Sequence, residues 1–237
     1  MKPKQVTLQM KEVGVANLKM CGTGVVTISW GDGTPHEEYT LAAELAAYKH
    51  QYTYSFNSPT ITLTGDDISV FDCSSQKVQS LDVGKNPTLK ILICSNNNIK
   101  KLNLQQNAAL TRLDCFNNEL KTLDVSANAE LEHLDCHLSS YYIKLSELQL
   151  NNNPLLTYLD CSGNALTKID LRRCVNLTDL KCSNNWLTNL DLSAQTSLKK
   201  LNCNNNANLV KLVVNSDVLE KIECRKELKV IYKNQKK

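Results

Sequence analysis

A cysteine recurs along this chain at a nearly constant interval, and that interval constrains the fold more than any other feature of the sequence. Successive members of the series lie 21 residues apart, except for one step of 25 residues. The series comprises Cys73, Cys94, Cys115, Cys136, Cys161, Cys182, Cys203 and Cys224. A fixed period of this length is typical of a solenoid, in which each repeat is one coil stacked on the next.

Each repeat follows the pattern LxxLxCxxNxLxxLxLxxN, and the coils begin at residues 68, 89, 110, 131, 156, 177, 198 and 219. The alternation LxC predicts a short strand with its apolar residues on one face. The apolar triplet before the second bend predicts another extended segment. We therefore expect a leucine-rich solenoid that is mainly β with little helix. Its strands would form a parallel ladder on the concave face, about 4.8 Å apart.

The cysteines of the series are expected to point into the core, because an un-ionised thiol packs like a small hydrophobic side chain. Zinc sites usually need paired spacings such as CxxC, which this sequence lacks. Disulfides between neighbouring rungs are compatible with the distance but fit the required dihedral angle poorly. The pattern therefore predicts free, buried thiols, and it predicts no cofactor.

Asparagine recurs at both bends of the coil. The first bend carries Asn97, Asn118, Asn164, Asn185 and Asn206, and the second carries Asn86, Asn107, Asn128 and Asn153, with Cys174 and Gln195 in later coils. The corners of a solenoid leave backbone N–H and C=O groups without partners. A column of amide side chains is expected to satisfy them.

The repeat is similar to the IRREKO subclass of bacterial leucine-rich repeats, which shares its pattern and its period. The resemblance covers residues 68 to about 228. It implies a curved solenoid that serves as a binding platform, often on exported bacterial proteins. Three features depart from the subclass: the 25-residue fourth coil, Cys174 in the asparagine column, and a shifted seventh coil around residues 207–217.

Residues 1–67 differ in texture and are expected to form an N-terminal domain, with the repeat domain over residues 68–237. The segments VTLQM, VVTISW, YTYSF and TITLTG predict strands. Together with WGDGT and HQY they resemble a small PKD-type, immunoglobulin-like β-sandwich, which would cover the apolar end of the first coil. Asp32 in WGDGTP is expected to bond to its own backbone rather than to calcium. Residues Leu41 to Lys49, rich in Ala, Leu and Glu, predict a short helix.

Residues between the inward-facing ones of each ladder strand are expected to point out from the concave face. In the middle coils they bring apolar, aromatic and basic side chains together, as in binding hot spots. The predicted binding residues are Ile91, Ile93, Arg112, Phe116, His133, His137, Tyr141, Tyr142 and Tyr158. A purely structural alternative stays open, in which the isoleucines contact the N-terminal domain and Tyr141 and Tyr142 fill the enlarged bend of coil four.

The same geometry aligns Asp114, Asp135 and Asp160 in one column. Their proximity is expected either to raise some of their pKa values or to recruit a cation or Arg112. No metal site is predicted. His133 and His137 share a face, but four strand residues separate them by roughly 13 Å, too far for one ion.

These patterns favour a non-enzymatic binding module whose ligand is a protein, with a glycan as the second ligand class. The net charge of +3 argues against a nucleic-acid partner, and so does the basic tail, in which Tyr232 is the one interleaved aromatic residue. No apolar run approaches the roughly 18 residues that a membrane span needs. The expected address is the cell surface, the periplasm or the medium. A cytoplasmic address stays open, because the first residues lack the apolar core of a signal peptide.

Two alternatives belong to other classes, and a third is a variant of the binding module. A passive spacer is compatible with a solenoid. So is an intracellular effector that binds host proteins, which differs from the leading interpretation only in its location. A hydrolase with Cys136 as nucleophile and His133 or His137 as base is disfavoured, because the thiol is expected to face the core while both rings face outward.

Overall fold

A computed structural model describes residues 4–12, 14–53, 58–139, 144–150, 152–215, 221–224 and 228–233. No helix occurs among these residues. The strands before the second coil are β1 (Lys4–Met10), β2 (Val15–Ser29), β3 (Glu37–Thr40), β4 (Ala46–Gln51), β5 (Thr60–Asp72) and β6 (Val78–Lys85). The later strands are β7 (Ile91–Ile93), β8 (Arg112–Asp114), β9 (Thr122–Asp124), β10 (His133–Asp135), β11 (Glu147–Gln149), β12 (Tyr158–Asp160), β13 (Asp179–Lys181), β14 (Asn189–Leu192), β15 (Lys200–Asn202), β16 (Lys211–Asn215), β17 (Lys221–Glu223) and β18 (Val230–Lys233).

One strand from each coil joins a parallel ladder in the order β5, β7, β8, β10, β12, β13, β15, β17. Neighbouring strands pair in register, so that His133 pairs with Arg112 on one side and with Tyr158 on the other. The central leucine of each short strand, such as Leu134, is buried, because alternate side chains of a strand point to opposite faces. The predicted mainly β solenoid with a parallel ladder is confirmed.

The other side of the coil carries the second extended segment that the sequence predicts. There β9 pairs with β11, and β14, β16 and β18 form a separate parallel sheet. In this sheet Asn189 pairs with Lys211, an offset of 22 residues. Coil seven therefore has one extra residue before its second strand, β16, which accounts for the shift seen in its sequence.

The cysteines of the series line the core, as predicted. All ten cysteines of the chain are free, and Cys224 is the one that is only half-buried. Burial raises the pKa of the Cys94, Cys115 and Cys136 thiols well above the usual range. A protonated thiol in such a position acts as a small hydrophobic side chain.

The first-bend asparagines tie each coil to the one before it. The Nδ2 group of Asn118 donates to the carbonyl oxygens of Cys94 at 2.9 Å and Cys115 at 3.0 Å, and more weakly to that of Phe116. Its Oδ1 atom accepts a hydrogen bond from the Ile99 N–H at 3.0 Å. The same arrangement recurs at Asn97, Asn164, Asn185 and Asn206. The predicted role of this column is confirmed.

The second-bend column is only half-satisfied. Nδ2 of Asn128 donates to the carbonyl oxygens of Leu104 at 3.1 Å and Asn107 at 2.8 Å. Its Oδ1 atom is buried and has no hydrogen-bond partner among the described residues. The side-chain oxygens of Asn107, Asn153 and Gln195 are orphaned in the same way.

The residue before each first-bend asparagine lies in the left-handed region of backbone space. Its φ is 56° at Asn96 and 52° at Asn117, and Gly163 has 77°. Asparagine tolerates this conformation better than most residues, which explains the Asn-Asn pairs of the repeat. A Cβ atom at Gly163 would lie 1.9 Å from the carbonyl oxygen of Leu138, so only glycine fits there.

The N-terminal strands extend the sheet of the ladder, so β5, the first strand of the ladder, is not an edge strand. Strand β2 pairs antiparallel with β5 from Lys19 opposite Asp72 to Ser29 opposite Thr62. Strand β5 also runs through residue 67, where the sequence places the domain boundary. The division at residue 67 and the sandwich itself stay predictions.

The turn at WGDGTP behaves as the sequence predicts. Asp32 Oδ1 accepts a hydrogen bond from the Thr34 N–H at 3.1 Å, and Asp32 Oδ2 lies 2.6 Å from Nε2 of His50. The Tyr52 hydroxyl donates to the Trp30 carbonyl at 2.7 Å. These contacts pair Asp32 with its own turn and with His50 of β4.

The helix predicted for Leu41 to Lys49 is wrong. Residues from Ala46 onward form β4, which pairs with β2 and buries Tyr48. Pairing with a long neighbouring strand outweighs a helix propensity of a few tenths of a kcal/mol per residue. The strand predicted at YTYSF falls mostly on residues 54–57, outside the described residues.

The two asparagine columns should differ in their contribution to stability. Asn118→Ala removes an amide that makes four hydrogen bonds, so it should lower the free energy of unfolding by about 3 kcal/mol or more. Asn128→Ala removes two bonds and also an orphaned oxygen, and should cost about 1 kcal/mol. Urea unfolding of the two variants measures the difference. Equal losses would contradict this account of the bends.

Candidate functional site

Two pairs of stacked rings stand at the centre of the concave face. The rings of His133 and Tyr158 lie 4.4 Å apart with an interplanar angle of 3°. Those of Phe116 and His137 lie 4.6 Å apart at 11°. Each pair spans two neighbouring coils, because in-register strands place equivalent side chains one rung apart. The ladder thus assembles four predicted binding residues into one surface.

The first acidic residue of the column, Asp114, contacts two basic side chains. The Arg112 guanidinium donates to Asp114 Oδ2 at 2.8 Å and 3.0 Å, and Nε2 of His133 lies 3.1 Å from Asp114 Oδ1. Burial alone would raise the pKa of Asp114, but the neighbouring His133 and Arg112 side chains lower it overall. Of the two expected outcomes for this column, recruitment of Arg112 is confirmed. The other outcome, a raised pKa, does not occur at Asp114.

The next two acidic residues each meet one cationic side chain. Asp135 Oδ1 lies 2.6 Å from Nδ1 of His137, and this hydrogen bond raises the pKa of His137. Asp160 Oδ2 lies 3.7 Å from Nζ of Lys181. Each of the three carboxylates of the column therefore contacts a basic side chain. Such contacts reduce the repulsion between carboxylates that lie side by side.

Ile91 and Ile93 extend the surface toward the N-terminal end. Both are half-buried, and they pair with Val70 and Asp72 of the first rung on one side. On the other side they pair with β8, so their contact with the rest of the concave face is continuous. Tyr141 and Tyr142, the remaining predicted binding residues, lie outside the described residues.

The sequence was compared with known protein families, curated proteins and solved structures. Residues 154–194 match the family model described as Leucine Rich repeats (2 copies). Those residues are leucine-rich repeats. No curated protein matches the sequence.

Parts of the chain are similar to solved structures. The functional domain of InlJ from Listeria monocytogenes, which includes a cysteine ladder, is 29% identical, with a TM-score of 0.36, over 67% of this chain. The leucine-rich repeat domain of APL1B is 21% identical, with a TM-score of 0.38, over 62% of this chain and 55% of that one. An internalin from Listeria monocytogenes is 18% identical, with a TM-score of 0.24, over 63% and 67%. The chain spans 44% of the InlJ domain's length.

The geometry of the solenoid places Cys136 on the opposite face of its strand from both histidines that could serve it as a base. Cys136 is buried, and the rings of His133 and His137 are stacked on the concave face. Burial also holds the pKa of the Cys136 thiol well above the usual range. A nucleophilic cysteine needs a lowered pKa and a base within hydrogen-bond reach.

Lys181 belongs to the surface, although it is absent from the predicted binding residues. Its Nζ atom lies 5.1 Å from the centre of the Tyr158 ring and donates to the Tyr158 hydroxyl at 3.0 Å. The two residues are 23 positions apart, so no local motif joins them. The repeat alignment could have found the contact, since it places Lys181 one rung beyond Asp160.

In the described part of the chain, no helix has the length and apolar character needed to cross a membrane.

The lowered pKa of Asp114 makes its contribution to stability depend on pH. A carboxyl with a lowered folded pKa stabilises above its ordinary pKa of 3.8, and this is lost as the pH falls through the folded pKa. Asp114→Asn should therefore reduce the free energy of unfolding by about 1–3 kcal/mol at pH 7. The gap to the wild type should close below pH 3.8.

Urea unfolding at several pH values measures this gap. Asp170→Asn is the exposed control, because hydrogen bonds from Arg172 lower the pKa of Asp170 to about 2, but the pair is exposed and lies away from the ladder. Exposed pairs contribute little, so the loss in this variant should be smaller than that in Asp114→Asn at pH 7. A pH-independent loss in Asp114→Asn would show that packing, and not charge, accounts for its effect.

Proposed function

We propose that this chain is a non-enzymatic binding module that holds a protein partner on the centre of its concave face. The observation that carries the proposal is the continuous surface made by Ile91, Ile93, Phe116 and the stacked pair His133 and Tyr158. All of these side chains are partly exposed on neighbouring rungs. Clusters of aromatic and apolar side chains on a surface are the usual anchors of protein interfaces.

The surface is also preorganised. In-register backbone pairing fixes the strands that carry it, and each ring is held against another ring from the next coil. Side chains that are already ordered lose little conformational entropy when a partner binds. This property supports a binding role over a passive spacer, which needs no ordered cluster on its outer face.

The charges of the surface favour an apolar and aromatic contact over an ionic one. Arg112, His137 and Lys181 each pair with a carboxylate of the same face. A partner therefore meets few uncompensated charges there. A glycan, which would use the rings through apolar faces and hydroxyl contacts, is the second candidate ligand.

The proposal includes an exported location: the cell surface, the periplasm or the medium. The resemblance of the repeats to those of exported bacterial proteins supports it. Immunodetection on intact and on permeabilised cells tests the address, because an exported protein is labelled, or released, without permeabilisation. Labelling only after permeabilisation would favour the intracellular effector.

Site-specific photo-crosslinking tests the binding face. The photoreactive residue benzoylphenylalanine in place of Phe116 should form a covalent adduct with the protein partner in living cells. The same residue in place of Trp186 is the matched control, because Trp186 is an exposed aromatic residue that lies beyond the ladder strand β13. It should give no adduct with that partner.

A second measurement separates loss of binding from loss of fold. The double variant Phe116→Ala, Tyr158→Ala should bind the crosslinked partner at least about tenfold more weakly, since each anchor costs on the order of 1–2 kcal/mol. Its thermal unfolding should stay cooperative. Unchanged affinity, or equal adducts from both photoreactive positions, would contradict a concave site. If the wild type binds glycans on an array and the double variant does not, the concave face is still the binding site, but its ligand is a glycan.

A further inference from the structure

Three metal-ligating side chains converge beside the ring stacks of the concave face. One carboxylate oxygen each of Asp135 and Asp160 and one imidazole nitrogen of His137 all lie within 4.8 Å of one another. Asp135 and His137 belong to coil four, and Asp160 belongs to coil five. We propose that these three residues bind one divalent transition-metal ion, of the class that includes Zn²⁺, Ni²⁺ and Co²⁺.

The fold brings the donors together without any local motif. Strands β10 and β12 pair in register, with Asp135 opposite Asp160. His137 follows Asp135 by two residues and points to the same face, so that its Nδ1 atom lies 2.6 Å from Asp135 Oδ1. Two ligands that each lie about 2.1 Å from a tetrahedral ion are roughly 3.4 Å apart. Side-chain rotations must therefore open the 2.6 Å contact between Asp135 Oδ1 and His137 Nδ1 and close the wider separations, which are at most 4.8 Å.

The cluster occurs at one step of the ladder. In the coil before it, Asp114 is occupied by Arg112 and His133, and the position equivalent to His137 is Phe116. In the coil after it, the equivalent position is Ser162. Coil four is therefore the coil of this stretch that offers both a carboxylate and an imidazole on the concave face.

The donor set favours a transition metal over calcium or magnesium. Ca²⁺ takes six to eight oxygen ligands and Mg²⁺ keeps an octahedral oxygen shell, whereas mixed imidazole and carboxylate donors suit Zn²⁺ and its neighbours. Lys181 is the cation that competes for Asp160, at 3.7 Å. Its side chain is 42% exposed and already donates to the Tyr158 hydroxyl, so it can yield Asp160 and keep a partner.

The ring of Phe116 completes the site by fixing the imidazole. It stacks on His137 at 4.6 Å, which holds the plane of the imidazole and directs Nδ1 toward Asp135. With three protein ligands, an ion would keep coordination positions open on the concave side. The inference does not rest on the proposed protein partner, because the metal alone is its ligand.

Titration of the reduced protein with Co²⁺ tests the site, by calorimetry and by visible absorption. The wild type should bind one ion per chain without thiolate charge-transfer absorption, because the ladder cysteines are buried. His137→Phe keeps a ring on Phe116 and removes the nitrogen donor. Asp160→Asn removes a carboxylate from the other coil. Each should weaken binding about tenfold or more, since even residues outside the first coordination sphere can cost that much.

His133→Phe is the matched control. It changes the other concave histidine in the same way, keeps a ring on Tyr158, and should bind Co²⁺ as the wild type does. Absence of binding by the wild type would overturn the site. Binding by His137→Phe and Asp160→Asn that equals wild-type binding would also overturn it, as would a loss in His133→Phe as large as theirs. A thiolate absorption band would place the ion on a cysteine such as Cys224 instead.

Discussion

The amide side chain at the first bend is the interaction on which the rest of the structure depends. One Nδ2 group of this column bonds carbonyls of its own coil and of the coil before it, and its Oδ1 atom bonds a backbone N–H of that preceding coil. Such an amide fixes both the turn and the distance between coils. The in-register ladder, the buried thiols and the columns of the concave face all follow from that spacing. Because each link joins only neighbours, stability accumulates coil by coil.

Much of this could be predicted from the sequence, because a period of 21 residues states which positions are equivalent. The inward cysteines, the two asparagine columns and the outward columns of the face follow from aligning the coils. The left-handed residue before Asn118 was not predicted, although the Asn-Asn pairs carry its signal. The helix expected at Leu41 to Lys49 failed for the opposite reason. Local propensity governs that stretch only until a long neighbouring strand, β2, offers it hydrogen bonds.

The chemistry of the face was less predictable than its outline. The repeat alignment placed Asp114, Asp135 and Asp160 in a column, but it did not reveal that Arg112 and His133 would lower the pKa of Asp114. Ring stacking and ion pairing depend on rotamers, which the period does not encode. His133 and His137 lie far apart along one strand, whereas His137 has close neighbours in the adjoining coils, Phe116 and Asp160. In a ladder, the equivalent residue of the next strand is nearer than the next outward residue of the same strand.

The glycine at position 163 ties its own bend to that of the preceding coil. Its equivalents in coils two, three, six and seven are asparagines, but the carbonyl of Leu138 occupies the space where a side chain would start. Leu138 stands at the equivalent position of the long fourth coil and lacks the left-handed backbone of its counterparts. Any side chain introduced at position 163 would therefore have to displace the backbone of Leu138 in the long fourth coil.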